Sequence, residues 1–164
     1  MNGIRMKDNT IIIMLMASLL LLNTGCCKKE LNMKNASKAY LSGNYKEAAE
    51  IFEPKAQQGD AEAMVNIAFM YYCGMHVKQD FVKAAQWYTK AADRNHPNAQ
   101  FSLATLYENG EGVEQDLEEA YFWYSLAERQ GDNDAKQSRK ELEQKLSKES
   151  LAYLKERLDN WEPL

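Results

Sequence analysis

The chain has 164 residues, 45% of them hydrophobic and 27% charged, with three Pro and eight Gly, which allows one globular domain and excludes a fibrous or low-complexity chain. The formal net charge is −4, and removing residues 1–25, which hold Arg5, Lys7 and Asp8, leaves about −5. That balance argues against nucleic acid, which would need a basic face, and against docking on anionic lipid through charge alone.

Residues 1–25 read as a signal peptide. Arg5 and Lys7 give a basic start, and Thr10 to Leu22 (TIIIMLMASLLLL) gives about twelve apolar residues. That run falls short of the roughly 20 that cross a bilayer as a helix. A small residue followed by Cys directly after such a run, here Gly25-Cys26, resembles a bacterial lipobox. The resemblance implies cleavage before Cys26 and lipidation of its sulfur. Asn23 departs from the pattern, which prefers Leu there; Leu22 stands one place early. Ordinary cleavage and an uncleaved anchor remain open alternatives. Several acyl chains on one residue would hold the protein firmly, at about 0.8 kcal/mol per buried methylene. Cys27 is not the Asp that retains lipoproteins in the inner membrane. The resemblance therefore implies a periplasmic protein held in the outer membrane of a Gram-negative bacterium.

Residues 26–30 read as a short linker and 31–164 as one helical domain. Leu31 to Asp60 predicts a helix–turn–helix unit, with Gly43-Asn44-Tyr45 at the turn and Ala48, Ala49, Phe52 and Ala56 along the second helix. Residues 61–96 and 97–132 then align without a gap at an offset of 36. The pairs include Ala63/Ala99, Ala68/Ala104, Tyr71/Tyr107, Gly74/Gly110, Gln79/Gln115, Asp80/Asp116, Ala84/Ala120, Trp87/Trp123 and Tyr88/Tyr124. Chance does not place so many identities, two of them Trp, in one register. In the second unit Ala99, Leu103, Leu106 and Tyr107 form an apolar stripe at helical spacing. Asn109-Gly110-Glu111-Gly112 breaks that helix. Asp116 stands where a cap belongs, ahead of a stripe of Leu117, Ala120, Trp123, Tyr124 and Ala127.

The pattern A-x3-L-A-x-L-Y-x2-G-x-G-V-x2-D-x3-A-x2-W-Y-x2-A resembles the Sel-one-like repeat, a longer-looped relative of the tetratricopeptide repeat. The resemblance implies an all-α fold, a right-handed α-solenoid of helix–turn–helix repeats, and a protein-binding rather than catalytic role. The first unit departs at Ile67, at His76 in place of the second loop Gly, and at Asn95 in place of the final Gly. Asn and His tolerate positive φ better than most residues. Residues 31–60 resemble a shorter-looped unit, with Ala48 lying 36 before Ala84. Residues 133–161 predict a closing unit with a polar outer side. It comprises a helix over about 134–146, then Ser147 capping a helix with Leu151, Leu154, Leu158 and Trp161. The total is about eight helices.

No catalytic, cofactor-binding or metal-binding constellation is legible. His76 and His96 occupy different repeat positions, without Cys or carboxylate at ligand spacing, and are expected to face solvent. Some secreted members of the resembled family staple each repeat with two cysteines. Cys73 stands alone, which weakens analogy with that branch and its penicillin-binding activity. It is expected as a half-buried free thiol, with a bridge to Cys27 left open.

Shared positions hold the fold, and differing positions on the first helices are free to specify a partner. There Met64, Phe69 and Tyr72 oppose Gln100, Thr105 and Glu108 of the sister unit. Phe69 and Tyr72 share a helix face, and Met75 and His76 adjoin them. These five are the candidate partner-binding residues. Either they form an exposed patch suited to a binding hot spot, or they pack against the preceding unit around Tyr40 and Tyr45. Short lipoproteins of this kind resemble immunity proteins that neutralise phospholipase effectors of type VI secretion. That resemblance implies a secreted lipase as partner, a membrane anchor on Cys26, no small-molecule substrate and no cofactor. A general envelope scaffold is the alternative. A peptidoglycan or β-lactam hydrolase would need a nucleophile beside an activating base, and no such pair is legible.

Overall fold

The computed structural model describes residues 33–164. The predicted signal peptide, Cys26 and Cys27 lie outside the described residues. Within them the chain forms eight helices and no strand: α1 (Met33–Leu41), α2 (Tyr45–Gln57), α3 (Ala61–Cys73), α4 (Phe81–Ala92), α5 (Pro97–Asn109), α6 (Leu117–Arg129), α7 (Asn133–Glu143) and α8 (Lys148–Asp159). From α1 to α7 each helix packs on its neighbour in sequence, which is the stacking of an α-solenoid.

Local chemistry fixes the helix ends. Asp60, Asp80 and Asp132 each precede a helix and accept from the third N–H, that of Ala63, Lys83 or Ala135, at 2.9–3.0 Å. Asp116 accepts from both Glu118 and Glu119. Gly74 and Gly110 end α3 and α5 in the left-handed conformation, at φ 70° and 73°. The Gln–Asp pair of each repeat then closes the loop. Gln79 donates to the carbonyl of Tyr72 at 2.9 Å, and Gln115 to that of Glu108 at 2.8 Å. Beside them the Asp80 N–H donates to Tyr71 O, and the Asp116 N–H to Tyr107 O.

The repeat register is also the packing register. Ala63, Ala99 and Ala135 on the first helices, and Ala48, Ala84 and Ala120 on the second, have no exposed surface. Such small side chains let helix backbones approach closely. Phe52, Leu103, Leu106, Phe122 and Leu154 fill the space between them. His76 and Asn95 adopt φ of 64° and 62°, so they take the backbone state of their sister residues Gly112 and Gly131.

The closing unit has a form of its own. Its last helix, α8, packs principally on α6. Arg157 pairs with Glu119 and covers the Phe122 ring, its carbon 3.8 Å from the centroid. Ser150 bonds Glu118 at 2.6 Å. The chain end reaches further, and the Leu164 N–H donates to Asp93 O at 2.8 Å. Leu154 and Leu158 are buried as expected, whereas Trp161 lies beyond the helix and is half-buried.

One glycine does more than turn the chain. A Cβ on Gly112 would stand 2.2 Å from the carbonyl oxygen of Phe81, so this loop seats directly on the start of α4. His76 carries a Cβ in the same register, so the first repeat does not make that approach. Gly131, at φ 96°, has open space around its Cβ position. We expect Gly131→Ala to cost about 1 kcal/mol in urea unfolding, from backbone strain alone. Gly112→Ala is expected to cost about 3 kcal/mol, because the collision adds to the strain. Equal losses would mean that the loop does not bear on α4.

Candidate functional site

The first helices of the two repeats, α3 and α5, frame a cleft of about 150 Å³. Phe69 and Tyr72 of α3 form one wall, and Phe101, Ser102 and Thr105 of α5 the other. Tyr88 and Leu106, both buried, form the floor. The repeat places each group. Tyr88 and Tyr124 hold the same register on the second helices, and each hydroxyl reaches the first helix of the next unit, at Ser102 and Ser138 respectively. Burial pushes both phenols up to about 12, so they stay protonated across the physiological range. The Tyr124 hydroxyl also donates to Glu108 and bonds Thr105, each at 3.0 Å, while its ring lies 5.4 Å from Phe101. Tyr72 donates to Glu111 at 3.0 Å and rests on the Phe81 ring at 5.2 Å. The Glu111 carboxylate, followed by desolvation, raises the Tyr72 pKa.

The five partner-binding candidates separate in the structure. Phe69 and Tyr72 meet at the cleft. Phe69 is 39% exposed, yet its ring centroid also lies 6.5 Å from that of Tyr40 in an edge-on arrangement, so it packs on the preceding unit and faces solvent together. Met75 is half-buried and accepts from the Tyr40 hydroxyl at 3.6 Å. His76 is exposed in the loop. Met64 requires correction: it is 3% exposed and belongs to the core. Its register points between units, where the sister Gln100 is fully buried and bonded to Asn95, Gln130 and the Ala92 carbonyl. Difference between repeats therefore does not by itself mark a surface. Sequence reasoning missed Tyr88, Phe101, Ser102 and the acceptor role of Glu108 and Glu111. The offset of 36 sets Tyr72 against Glu108 and Met75 against Glu111, and that pairing was a usable signal.

Two other hollows lie at the repeat loops in matching register. One, of about 380 Å³, has Tyr71, Lys78 and Lys83; the other, of about 680 Å³, has Tyr107, Glu114 and Glu119. Their polar groups already serve the scaffold. Asp80 and Asp116 cap helices, Lys83 covers Tyr71, and Glu119 pairs with Arg157. Among the described residues no three His, Cys, Asp or Glu side chains could hold a metal ion, and no helix is long and apolar enough to cross a membrane. Cys73 is exposed rather than half-buried, and desolvation raises its thiol pKa. His96 also departs from expectation. It is half-buried at the start of α5, where the sister units have Asp60 and Asp132, and it makes no cap bond. Its Nδ1 is buried without a partner. Desolvation lowers its pKa against the opposing pull of Glu62 and Asp60.

Helical hairpins stacked at a fixed offset, with a lined cleft between first helices, define a helical-repeat scaffold of the solenoid class. The particular repeat is Sel1: the Sel1 repeat model matches residues 61–96 and 97–132, so the chain carries two Sel1 repeats. No curated protein matches the sequence. Among solved structures, a protective antigen of uropathogenic Escherichia coli strains with an SLR fold is 28% identical, with a TM-score of 0.72 over 77% of this chain. A Sel1 repeat protein from Oxalobacter formigenes is 30% identical, with a TM-score of 0.63 over 66% of this chain. The chain spans 28% of the first relative's length and 44% of the second's. Helicobacter pylori cysteine rich protein B shares the fold at 23% identity and a TM-score of 0.55; this chain covers 96% of it, over 68% of its own length.

His96→Asn is expected to stabilise the protein by about 1 kcal/mol at neutral pH, since Asn caps as well as Asp and adds no charge near Asp60 and Glu62. The lowered pKa of His96 favours its neutral form in the folded state. That contribution is complete above the unfolded pKa of about 6.5 and is lost as pH falls through the folded value. The variant should therefore lose less stability than the wild type as pH drops below about 6.5. Parallel pH profiles in thermal unfolding would refute this account of His96.

Proposed function

We propose that this Sel1-repeat protein is a non-catalytic, lipid-anchored interaction module of the periplasm, and specifically an immunity protein against a secreted phospholipase. One observation carries the binding reading: the cleft's size. Sites for metabolites and cofactors run to about 300–1,000 Å³. An apolar cavity of about 150 Å³ holds a single benzene-sized group. The cleft between α3 and α5, of about 150 Å³, thus fits one anchoring side chain of a protein partner. Of the two aromatics at its mouth, Tyr72 is of a type enriched among binding hot spots and Phe69 of a type enriched at interfaces. The lipobox resemblance at Cys26 supports the anchor. The description of the Escherichia coli relative as a protective antigen supports an envelope location. An inhibitor tethered to the membrane would meet a lipase at its substrate, and that is the argument for the immunity role.

The test is capture from detergent-extracted membranes with the full chain, with bound proteins identified by mass spectrometry. One stoichiometric lipase sustains the immunity reading. Several envelope-assembly proteins would replace it with a scaffold, and no partner would sink both. Metabolic labelling with a fatty acid checks the anchor: label should vanish in Cys26→Ala and persist in Cys27→Ala. For the captured partner, Phe69→Ala and Tyr72→Ala should each weaken binding about tenfold or more, roughly 1.4 kcal/mol, with helical content intact. Unchanged affinity in both would move the binding face elsewhere.

A further inference from the structure

The protein's negative charge is concentrated in one repeat. Residues 97–132 hold eight Asp and Glu against the single Arg129, a net charge of −7. Residues 61–96 hold three acidic and four basic residues, a net charge of +1. Part of the second repeat's charge is answered by the closing unit: Arg157 pairs with Glu119, and Arg139 with Glu128. The two carboxylates at the cleft are not answered. Glu108 and Glu111 accept from Tyr124 and Tyr72, which are neutral donors, and neither joins an ion pair among the described residues. Both are half-buried, so water screens them less than a fully exposed pair.

The cleft therefore has two unlike sides. At three matched registers the first repeat offers Phe69, Tyr72 and Met75, where the second offers Thr105, Glu108 and Glu111. Beside the apolar hollow, Glu111 bonds the lining residue Tyr72, and Glu108 bonds Tyr124, whose hydroxyl also meets the lining Thr105. Resting on the protein-binding reading above, we infer that the cleft receives an extended segment of the partner carrying one large apolar side chain with Lys or Arg close by. The apolar group enters between Phe69 and Phe101, over Tyr88 and Leu106. The cation meets Glu108 and Glu111. Glu108 lies seven residues beyond Phe101 on α5, about 10 Å along the helix, which corresponds to about three residues of extended chain between anchor and cation. An acidic segment is rejected by the same carboxylates. The high pKa of Tyr72, held up first by Glu111, agrees with an uncompensated negative field at this spot.

The experiment pans a random library of short linear peptides against the immobilised full chain in detergent micelles. The expected result is enrichment of one large apolar residue with Lys or Arg about three positions away. Binding of a selected peptide should fall about tenfold or more in the Glu108→Gln, Glu111→Gln double variant, because Gln keeps the tyrosine hydrogen bonds and removes the charge. It should also weaken with added salt, by less than a fully exposed pair would. Phe69→Ala should lose the apolar preference and keep the basic one. Enrichment of acidic peptides, absence of enrichment, or affinity unchanged in the double variant would overturn the inference. The module reading fails separately, on capture: a partner whose binding depends on Phe69 but not on Glu108, Glu111 or salt would keep that reading and remove this one.

Discussion

Close approach of helix backbones at the alanine positions is the constraint from which the rest of the structure follows. Ala63, Ala99 and Ala135 recur at intervals of 36, as do Ala48, Ala84 and Ala120, and all six are fully buried. Each is buried in a filled core, and overpacking such a core typically costs about 1–3 kcal/mol. With the backbones held at that separation, Phe52, Leu103, Leu106 and Phe122 occupy the spaces that remain. The same register sets α3 beside α5, and the cleft exists because of that placement.

Hydrogen bonds convert a stack of helices into a defined stack. The Asp caps, the Gln bonds back to the preceding helix and the left-handed Gly74 and Gly110 give the two repeat loops one geometry. Tyr88 and Tyr124 then carry their hydroxyls toward the next unit's first helix, at Ser102 and Ser138. In the preceding unit Phe52 stands in that register and has no hydroxyl to offer, while Asn66 of α3 bonds its own helix at Glu62. The buried Gln100, with Asn95 and Gln130, adds a polar contact that the first repeat replaces with Met64. Two repeats of one pattern thus share a scaffold and differ in how their seams are filled.

That difference also makes the cleft directional. A symmetrical pair of repeats would present the same surface twice. Here the first repeat is apolar and close to neutral where the second is acidic, and the closing helix α8 neutralises Glu119 on its own side through Arg157. Glu108 and Glu111, which accept from tyrosines and join no ion pair among the described residues, are left on the side of the cleft. Charge placed in this way bears on the rate and selectivity of association more than on its strength.

The sequence by itself determined the two repeats at 61–96 and 97–132, the capping Asp80 and Asp116, the loop Gly positions and the all-α fold. These are local or periodic properties: a cap is set by its own turn, and an offset of 36 needs no knowledge of contacts. It also indicated Phe69 and Tyr72, because an apolar residue where the sister repeat is polar is visible in one dimension. Only the tertiary structure decided that Met64 is core, that His96 is half-buried at a helix start, and that α8 turns onto α6. It alone joined Tyr88, Phe101 and Leu106 into a cleft with Glu108 and Glu111 at its side. Sequence spacing gives the face of a helix, but exposure depends on what packs against that face, and the packing partners come from other units.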